Sequence, residues 1–524
     1  MENKNIQILR TRRDFIRRVA YGTLGTAGLT GALRDLRLIN AALASNPITD
    51  YKAMVCVFLQ GGNDANNFIV PTNSSEYASY AAIRTPILAI PNTDGSGATA
   101  LALNPSNYDG HTYGIHPACP GLQNLFNAGK AATLFNVGSL VYPMTRAQYN
   151  AGTVTKPPQL FSHSDQVTQW QTSVPDRPPT TGWGGRMADL MEDAAGANIY
   201  QANASGQISF GTSISGTNTW ERGVSKQQYN MSTSGAIDLS SGPNNGGGNI
   251  GKKNALLSMM GVSQSNYQSK AYADAVAHAL NEAGIVNAAT AGFNATTTFV
   301  APAGDPLLTP GTALFPNSII TPNTTSSVSS SLSPQLKMVA QLIEAGSRWM
   351  RNGGIDRGMD MRRQIFYVQI GSYDTHTNQN NTFTGGVTPT NAVIGTQANL
   401  FSDLSRSLYG FYRAMEILGL QNNVTCFTAS DFGRTFPSNG QGSDHGWGSH
   451  HLIVGGAVKG GKTYGTWPTL TVNGPDDTST GRWIPTTSVD QYAATLASWF
   501  GVSNADRNVI LPNLGRFATP PAFL

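Results

Sequence analysis

The chain has 524 residues, is 40% hydrophobic and only 12% charged, and carries a formal net charge of +4. The length allows one large domain or two, and three cysteines are too few for a disulfide framework. Because the net charge is small and much of it lies near the N-terminus, the composition argues against a broad basic face. It therefore predicts no nucleic-acid partner.

The N-terminus has the pattern of an export signal. TRRDFIRR (11–18) precedes a mildly apolar, Gly- and Thr-rich stretch that ends in AALA, a small-residue cleavage site. Arg12 and Arg13 make it resemble a twin-arginine signal. The alternative, a buried amphipathic helix, would have to accommodate all the arginines around a Gly-rich centre. We predict a signal over 1–44, recognition by the twin-arginine export machinery, a periplasmic or extracellular mature protein and no stable membrane span.

Apolar runs and helical patterns alternate along the mature chain. Continuous apolar runs predict strands buried on both faces, and apolar residues at helical spacing predict helices. In chain order the predicted elements are strand MVCVFLQGG (54–62), a helix, glycine stop and strand over 119–140, helix 334–354, strand QIFYVQIG, helix 398–420, strand NVTCFTAS, strand HLIVGGAV, and a helix that begins after Ser488 and stops at Gly501.

This alternation predicts an α/β fold with a mostly parallel central sheet and helices on both faces. Cys56 and Cys426 fall inside the apolar runs, so we expect buried thiols. The stretch 200–330 differs because its Gly/Ser/Asn-rich runs flank a helical pattern at 267–284. We interpret 45–524 as one domain, with 200–330 as an insertion or cap within it.

Acidic residues and histidines follow several of the apolar runs. They are Asp64 after FLQGG, Asp374 and His376 after YVQIGSY, Asp431 after TCFTAS, Asp444, His445, His450 and His451 soon afterwards, and Ser162, His163, Ser164 and Asp165 after ATLFNVGSL and a loop. In a parallel sheet the ends of these strands meet at one edge. Carboxylates with imidazoles form sites for Zn, Mn or Mg, and a hydroxyl beside them can be a nucleophile.

Each of these residues also has an ordinary structural interpretation. A single aspartate after a strand is usually a helix cap or a turn residue, and histidines in loops are often merely exposed. The joint pattern, with three strand-end aspartates and histidines close behind two of them, favours a metal or acid–base site.

Seven motifs make the chain resemble a known family. In order they are GGNDANNFIVP, FSHSDQVTQWQ, GWGGRMAD, GSYDTHTNQ, SDFGRT, DHGWGSHHLIVGG and TTSVDQYAATLASWFGV. Together with the signal they resemble the exported bacterial proteins of domain-of-unknown-function family 1501. That family is similar to the alkaline phosphatase and sulfatase superfamily. The resemblance spans roughly 50–520 and is weakest across 200–330.

The resemblance implies an alkaline phosphatase-like fold and one or two divalent ions, Zn, Mn, Mg or Ca. Carried over residue by residue, it implies these roles: Asp64, Asp374, His376, Asp431 and His445 as metal ligands, Ser162 as nucleophile with Ser164 in reserve, and a helix N-terminus there that helps to bind an anion. His163 joins Ser162 as a catalytic candidate and, like His116 or His450, is an alternative metal ligand. Arg434 either pairs with a phosphate or sulfate oxygen or is a structural partner of Asp431.

Two departures from the superfamily pattern affect the metal count. Superfamily phosphatases usually place a histidine directly after the aspartate matched by Asp431, where this chain has Phe432. The spacing between Asp374 and His376 is also tighter than usual. We therefore expect one of the two metal sites to be altered or absent.

The leading functional hypothesis is an exported, metal-dependent hydrolase of phosphate esters, and less so of sulfate esters, because the Cys/Ser-x-Pro-x-Arg pattern of formylglycine sulfatases is absent. The alternative is a non-catalytic surface-binding or assembly protein on a degenerate fold of this kind, as Phe432 and the low-charge insertion suggest. The sequence has no G-x-S-x-G elbow of a serine esterase and no GxGxxG after the first strand to indicate a dinucleotide.

Overall fold

The structure, a computed structural model, describes residues 48–92, 99–192, 202–203, 208–237, 250–263 and 266–524. The predicted signal over 1–44 and the glycine-rich run 241–249 lie outside these ranges. Among the helices within them, none combines the length and the apolar character that a membrane crossing requires.

The strands are β1 (Lys52–Leu59), β2 (Ile69–Pro71), β3 (Leu101–Leu103), β4 (Tyr113–Ile115), β5 (Ala131–Gly138), β6 (Gly211–Ser213), β7 (Tyr229–Asn230), β8 (Ser318–Ile320), β9 (Ser327–Ser329), β10 (Arg363–Ile370), β11 (Val424–Ser430), β12 (Ser449–Val454), β13 (Lys462–Gly465) and β14 (Thr487–Ser488). The helices are α1 (Ala65–Phe68), α2 (Ser74–Leu88), α3 (Pro120–Asn127), α4 (Arg146–Ala151), α5 (His163–Thr172), α6 (Trp183–Met191), α7 (Ile250–Met260), α8 (Tyr267–Thr290), α9 (Ala295–Thr298), α10 (Leu332–Arg351), α11 (Thr382–Gly385), α12 (Pro389–Ala392), α13 (Thr396–Ile417), α14 (Val489–Phe500) and α15 (Arg507–Ile510), with a 3-10 turn over Leu514–Arg516.

A nine-stranded sheet in the order β13-β5-β12-β11-β1-β10-β6-β7, with β14 beside β5, forms the centre of the molecule. β1 is parallel to both β10 and β11, with Lys52 opposite Arg363 and Ala53 opposite Val424. Among the described strands of this sheet, only β12 runs antiparallel to its neighbours, β11 and β5. The predicted α/β fold with a mostly parallel sheet is confirmed, and the C-terminal ends of β1, β10 and β11 lie side by side at one edge.

The first strand shows why the sheet is covered on both faces. Its sequence KAMVCVFL is buried from Ala53 onwards, and successive side chains point to opposite faces of a strand. Val55 and Val57 accordingly belong to one apolar core, and Met54 and Phe58 to the other. The helices α10 and α13 cover the first core, while α6 and α14 cover the second.

The structure also bears on three smaller sequence predictions: the ends of the last long helix, the cysteines and the stretch 200–330. Ser488 caps α14 in a capping box with Gln491, and Gly501 ends the helix in a left-handed conformation. Cys56 and Cys426 are buried free thiols, as predicted. Part of the stretch 200–330 belongs to the central sheet, because β6 pairs with β10 and β7 pairs with β6.

Candidate metal centre

Three imidazoles and one carboxylate converge at the C-terminal edge of the sheet. The Nε2 atom of His445 lies 3.1 Å from that of His163 and 2.9 Å from that of His376. Asp374 Oδ1 is 3.2 Å from His376 Nε2 and 3.4 Å from His445 Nε2, and its Oδ2 is 3.6 Å from His163 Nε2. His163 opens α5, Asp374 and His376 follow β10, and His445 precedes β12. The four side chains are partly exposed, so a ligand can reach them.

The second ring nitrogen of each histidine has a partner outside the centre. The contacts are His163 Nδ1 to Asp431 Oδ2 at 2.7 Å, His376 Nδ1 to Asp444 Oδ1 at 2.8 Å, and His445 Nδ1 to the carbonyl oxygen of Phe161 at 2.7 Å. A carbonyl oxygen only accepts hydrogen bonds, so His445 donates from Nδ1 and keeps a lone pair on Nε2. Carboxylate partners favour the same tautomer in the other two rings.

This arrangement fits a divalent metal ion. With the three Nδ1 atoms as donors, the neutral rings point three lone pairs at one another, which is unfavourable unless a cation lies between them. Zinc–nitrogen distances of about 2.0–2.1 Å in a tetrahedral site place neighbouring ligand atoms about 3.3 Å apart. The five separations given above, 2.9–3.6 Å, bracket that value. His163, Asp374 and His445 are mutually close, and His376 lies beside Asp374 and His445. Imidazole and carboxylate ligands suit zinc and also manganese.

Arg434 lies behind Asp374 and positions it. Its Nη1 donates to Asp374 Oδ1 at 2.7 Å and to the carbonyl oxygen of Gly61 at 3.3 Å, and its Nη2 donates to the carbonyl oxygen of Ser443. Burial alone would raise the pKa of Asp374, but the hydrogen bond and the charge of Arg434 lower it. The sequence suggested a bond from Arg434 to a substrate or to Asp431. The structure instead pairs this fully buried guanidinium with Asp374.

Asp431, expected as a metal ligand, holds His163 in place. Its Oδ2 contacts His163 Nδ1, and its Oδ1 accepts the backbone N–H of Gly61 at 3.0 Å. The hydrogen bond that His163 donates to Asp431 raises the pKa of His163. Both carboxylate oxygens therefore have partners, and the side chain is 1% exposed.

Asp64, also expected as a ligand, forms a buried ion pair with Arg84. The same carboxylate oxygen accepts from Gln379 Nε2 at 2.6 Å and from Ser443 Oγ at 3.4 Å. These partners are not histidines, so the structure groups Asp64 with a buried polar network beside the centre. The cause is Arg84 in α2, whose charge neutralises the strand-end carboxylate.

Ser162, the expected nucleophile, immediately precedes His163 at the start of α5. Its Oγ donates to Asp165 Oδ2 at 2.6 Å and lies 3.4 Å from Ser164 Oγ. The Ser162 side chain makes no capping hydrogen bond to α5, so the first backbone N–H groups of the helix are not capped by it. The preceding residue, Phe161, has φ = 73° and turns its carbonyl towards His445.

Phe432 occupies the position after Asp431 where superfamily phosphatases have histidine. Its buried ring packs against two of the converging histidines, with ring centroids 4.8 Å from His163 and 4.7 Å from His445. An apolar ring there offers no metal ligand, and among the described residues only one group of three or more ligand side chains, His163, Asp374 and His445, could hold an ion.

The histidines offered as alternative ligands fall elsewhere, apart from His163. His116, His450 and His451 are buried, and burial lowers their pKa to about 3. His450 Nδ1 accepts the backbone N–H of Asn136 at 3.1 Å, and its ring stacks on Trp467. Sequence reasoning also missed Asp444 as the anchor of His376. The adjacent pair Asp444-His445 was the available signal.

Comparisons with known proteins address the family and the fold. Residues 355–511 match the family described as "Protein of unknown function (DUF1501)", and this segment contains Asp374, His376 and His445. No curated protein sequence matches the chain significantly.

Solved structures with an overall likeness share little sequence with the chain. Ps i-CgsB is 8% identical with a TM-score of 0.33, and the alignment covers 90% of this chain and 78% of that chain. Ps i-CgsB in complex with k-i-k-neocarrahexaose is 9% identical with a TM-score of 0.30 over the same shares. The phosphonate monoester hydrolase SpPMH from Silicibacter pomeroyi is 11% identical with a TM-score of 0.28 over 75% of this chain and 72% of that chain.

Proposed function

We propose that this chain, whose residues 355–511 match the DUF1501 family, is a metal-dependent hydrolase of phosphate esters, with sulfate esters as the less favoured substrates. The convergence of three Nε2 atoms on the Asp374 carboxylate is the observation that carries the proposal. We further propose that the protein acts in the periplasm or outside the cell after export by the twin-arginine machinery, because of the segment over 1–44.

His163, Asp374 and His445 would hold the ion, and His376, which lies beside Asp374 and His445, would be the fourth ligand. A divalent ion bound there would polarise an ester oxygen and offset the negative charge that develops on it. Asp431, Asp444 and the Phe161 carbonyl fix the ring orientations in advance, so little reorganisation accompanies binding. Phe432 excludes water from one side of two of the rings.

Ser162 is the proposed nucleophile. Its Oγ would attack phosphorus while its proton passes to Asp165, which already accepts its hydrogen bond at 2.6 Å. The alcohol would leave with a proton from solvent. Water would then attack phosphorus and break its bond to Ser162 Oγ, with one water proton going to Oγ, and Asp165 would release its proton to solvent. The first N–H groups of α5 would stabilise charge on the phosphoryl oxygens.

Elemental mass spectrometry of the purified full-length protein tests the metal centre. We expect about one equivalent of Zn, Mn or a similar ion in the wild type and its loss in His445→Ala. His278→Ala is the matched control, because this exposed imidazole lies on α8 away from the four side chains. A wild type without metal would overturn the proposal and favour a surface-binding or assembly protein.

Turnover of 4-nitrophenyl phosphate and 4-nitrophenyl sulfate by the same preparations tests the chemistry. We expect phosphate turnover to fall by at least about 100-fold in Ser162→Ala without loss of metal. Ser164→Ala is the neighbouring control and should retain activity. If Ser164→Ala loses activity and Ser162→Ala does not, Ser164 is the nucleophile. If both variants keep full activity, neither serine is the nucleophile.

A further inference from the structure

A polar cleft of about 290 Å³ opens at the same edge of the sheet as the metal centre. Its walls include Phe58 and Gln60 at the end of β1, and Tyr367 and Gln369 near the end of β10. Val167 and Gln171, in the later turns of α5, also line the cleft. The volume is at the lower end of the roughly 300–1,000 Å³ typical of ligand pockets, which suits one small ring better than a chain of rings.

The cleft adjoins the metal centre through two connections. Val167, which lines the cleft, lies one helical turn after the ligand His163, about 6 Å along the axis of α5. Gln60 is followed directly by Gly61, whose backbone N–H holds Asp431. The cleft and the metal centre are thus neighbours along α5 and along the turn after β1.

The hydrogen-bonding groups of the cleft are oriented in advance. Gln171 Nε2 donates to the Tyr367 hydroxyl at 3.3 Å, the hydroxyl donates to Gln369 Oε1 at 2.9 Å, and Gln369 Nε2 donates to Gln60 Oε1. This chain of bonds leaves the amide N–H groups of the exposed Gln60 directed away from it. The amides of the exposed Gln60 and the half-buried Gln369 can pair with the hydroxyls of a sugar ring, whereas Phe58 and Tyr367 are almost completely buried.

The charge of the cleft is positive. Arg222 lines it, is exposed, and has a guanidinium without a hydrogen-bond or ion-pair partner among the described residues. None of the side chains that line the cleft is acidic. Arginine at such a site favours a carboxylate, sulfate or phosphate group.

We propose that this cleft binds the alcohol part of the ester, and that this part is a sugar ring carrying a further anionic group that pairs with Arg222. The inference rests on the proposed function and specifies its substrate class. Hydrolysis would break the bond between phosphorus and the sugar oxygen, with water supplying a proton to the sugar and a hydroxyl to the phosphate. The sugar ring itself would leave unchanged.

Titration calorimetry with glucuronic acid and glucose tests the cleft separately from the metal chemistry. Full-length wild-type protein and His445→Ala should bind glucuronic acid alike, because the cleft does not use the metal. Arg222→Ala should weaken glucuronic acid binding about tenfold and leave glucose binding unchanged. Gln60→Ala should weaken both sugars, and Arg357→Ala, at an exposed arginine elsewhere, should change neither.

The outcomes separate the two proposals. Equal binding of glucuronic acid to Arg222→Ala and the wild type, or no binding to the wild type, overturns the cleft assignment. Binding that is lost in His445→Ala also overturns it, because the sugar would then occupy the metal centre. If the protein binds both sugars as expected but hydrolyses no ester, the proposed hydrolase function is wrong and the proposed sugar site stands.

Discussion

Single hydrogen bonds decide which side chains surround the proposed metal site and which support them. Asp374 and Asp431 both follow strands and both contact His163, yet Asp374 meets its Nε2 and Asp431 meets its Nδ1. Asp431 is fully enclosed, whereas Asp374 is 44% exposed. The aspartate that faces solvent and three Nε2 atoms is therefore the one we propose as a ligand, and the enclosed one orients a ring.

Removing an anchor should weaken metal binding less than removing a ligand. In Asp444→Ala the His376 ring loses the bond to its Nδ1, and we expect metal affinity to fall about 10–100-fold. Competition with a chromogenic chelator measures this. Asp274→Ala, at an exposed carboxylate on α8, is the control and should leave affinity unchanged. An unchanged affinity in Asp444→Ala would show that His376 needs no anchor.

The turn after β1 connects the central sheet to the proposed metal centre. Gly61 has φ = +115°, donates to Asp431 and accepts from Arg434. A side chain at this position would overlap the backbone nitrogen of Asp374. The turn therefore requires glycine both for its conformation and for its close approach to the loop after β10.

We expect Gly61→Ala to destabilise the fold by about 1–3 kcal/mol and to weaken metal binding, because Asp374 must move. Chemical denaturation and chelator competition would measure the two effects. Gly129→Ala is a matched control, since Gly129 has φ = +72° with open space where a Cβ would lie. It should cost about 1 kcal/mol and leave metal affinity intact. Loss of metal affinity in both variants would show that the effect is not local.

Buried ionisable groups set how the stability of the whole molecule depends on pH. Burial lowers the pKa of His116, His450 and His451 from 6.5 to about 3. Their contribution to the free energy of unfolding is present above pH 6.5 and is lost as the pH falls towards 3. Burial raises the pKa of Glu221 from 4.5 to about 8 and that of Asp490 from 3.8 to about 7. Their contribution is complete at low pH and is lost as the pH rises through those values.

The two sets oppose each other, so we expect the free energy of unfolding to be greatest near about pH 6 and to fall on both sides. Urea denaturation across pH 4–9 would measure it. His451→Gln should make the acid side shallower because one buried imidazole no longer needs to be charged. His278→Gln, at an exposed histidine, should leave the curve unchanged. If the free energy of unfolding falls equally steeply below pH 6 in both variants, His451 does not contribute to the pH dependence.

Much of the architecture could be predicted because burial leaves a local pattern. The run KAMVCVFL is apolar throughout since β1 is covered on both faces, and α14 is marked at both ends by Ser488 and Gly501. The direction of β12 could not be predicted, because its sequence SHHLIV reads the same whether the strand is parallel or antiparallel.

The site was predictable to the level of the sheet edge. Strand-end position brought Asp374, His376, His445 and His163 together, and these four side chains do converge. The same argument also selected Asp64, which instead pairs with Arg84, a residue on a separate helix. No local pattern shows which carboxylate a distant arginine will neutralise.

The position of β1 has a consequence for the order in which the molecule can form. β1, the first strand in the described part of the chain, lies between β10 and β11, whose residues follow it by roughly 310 and 370 positions. At about 5–20 residues per second, a ribosome needs of the order of 15–60 s to make the first of these partners. During that time the almost wholly apolar β1 is present without its neighbouring strands, and His163 is present without His445. The proposed metal centre can thus form only in a chain whose synthesis is nearly finished.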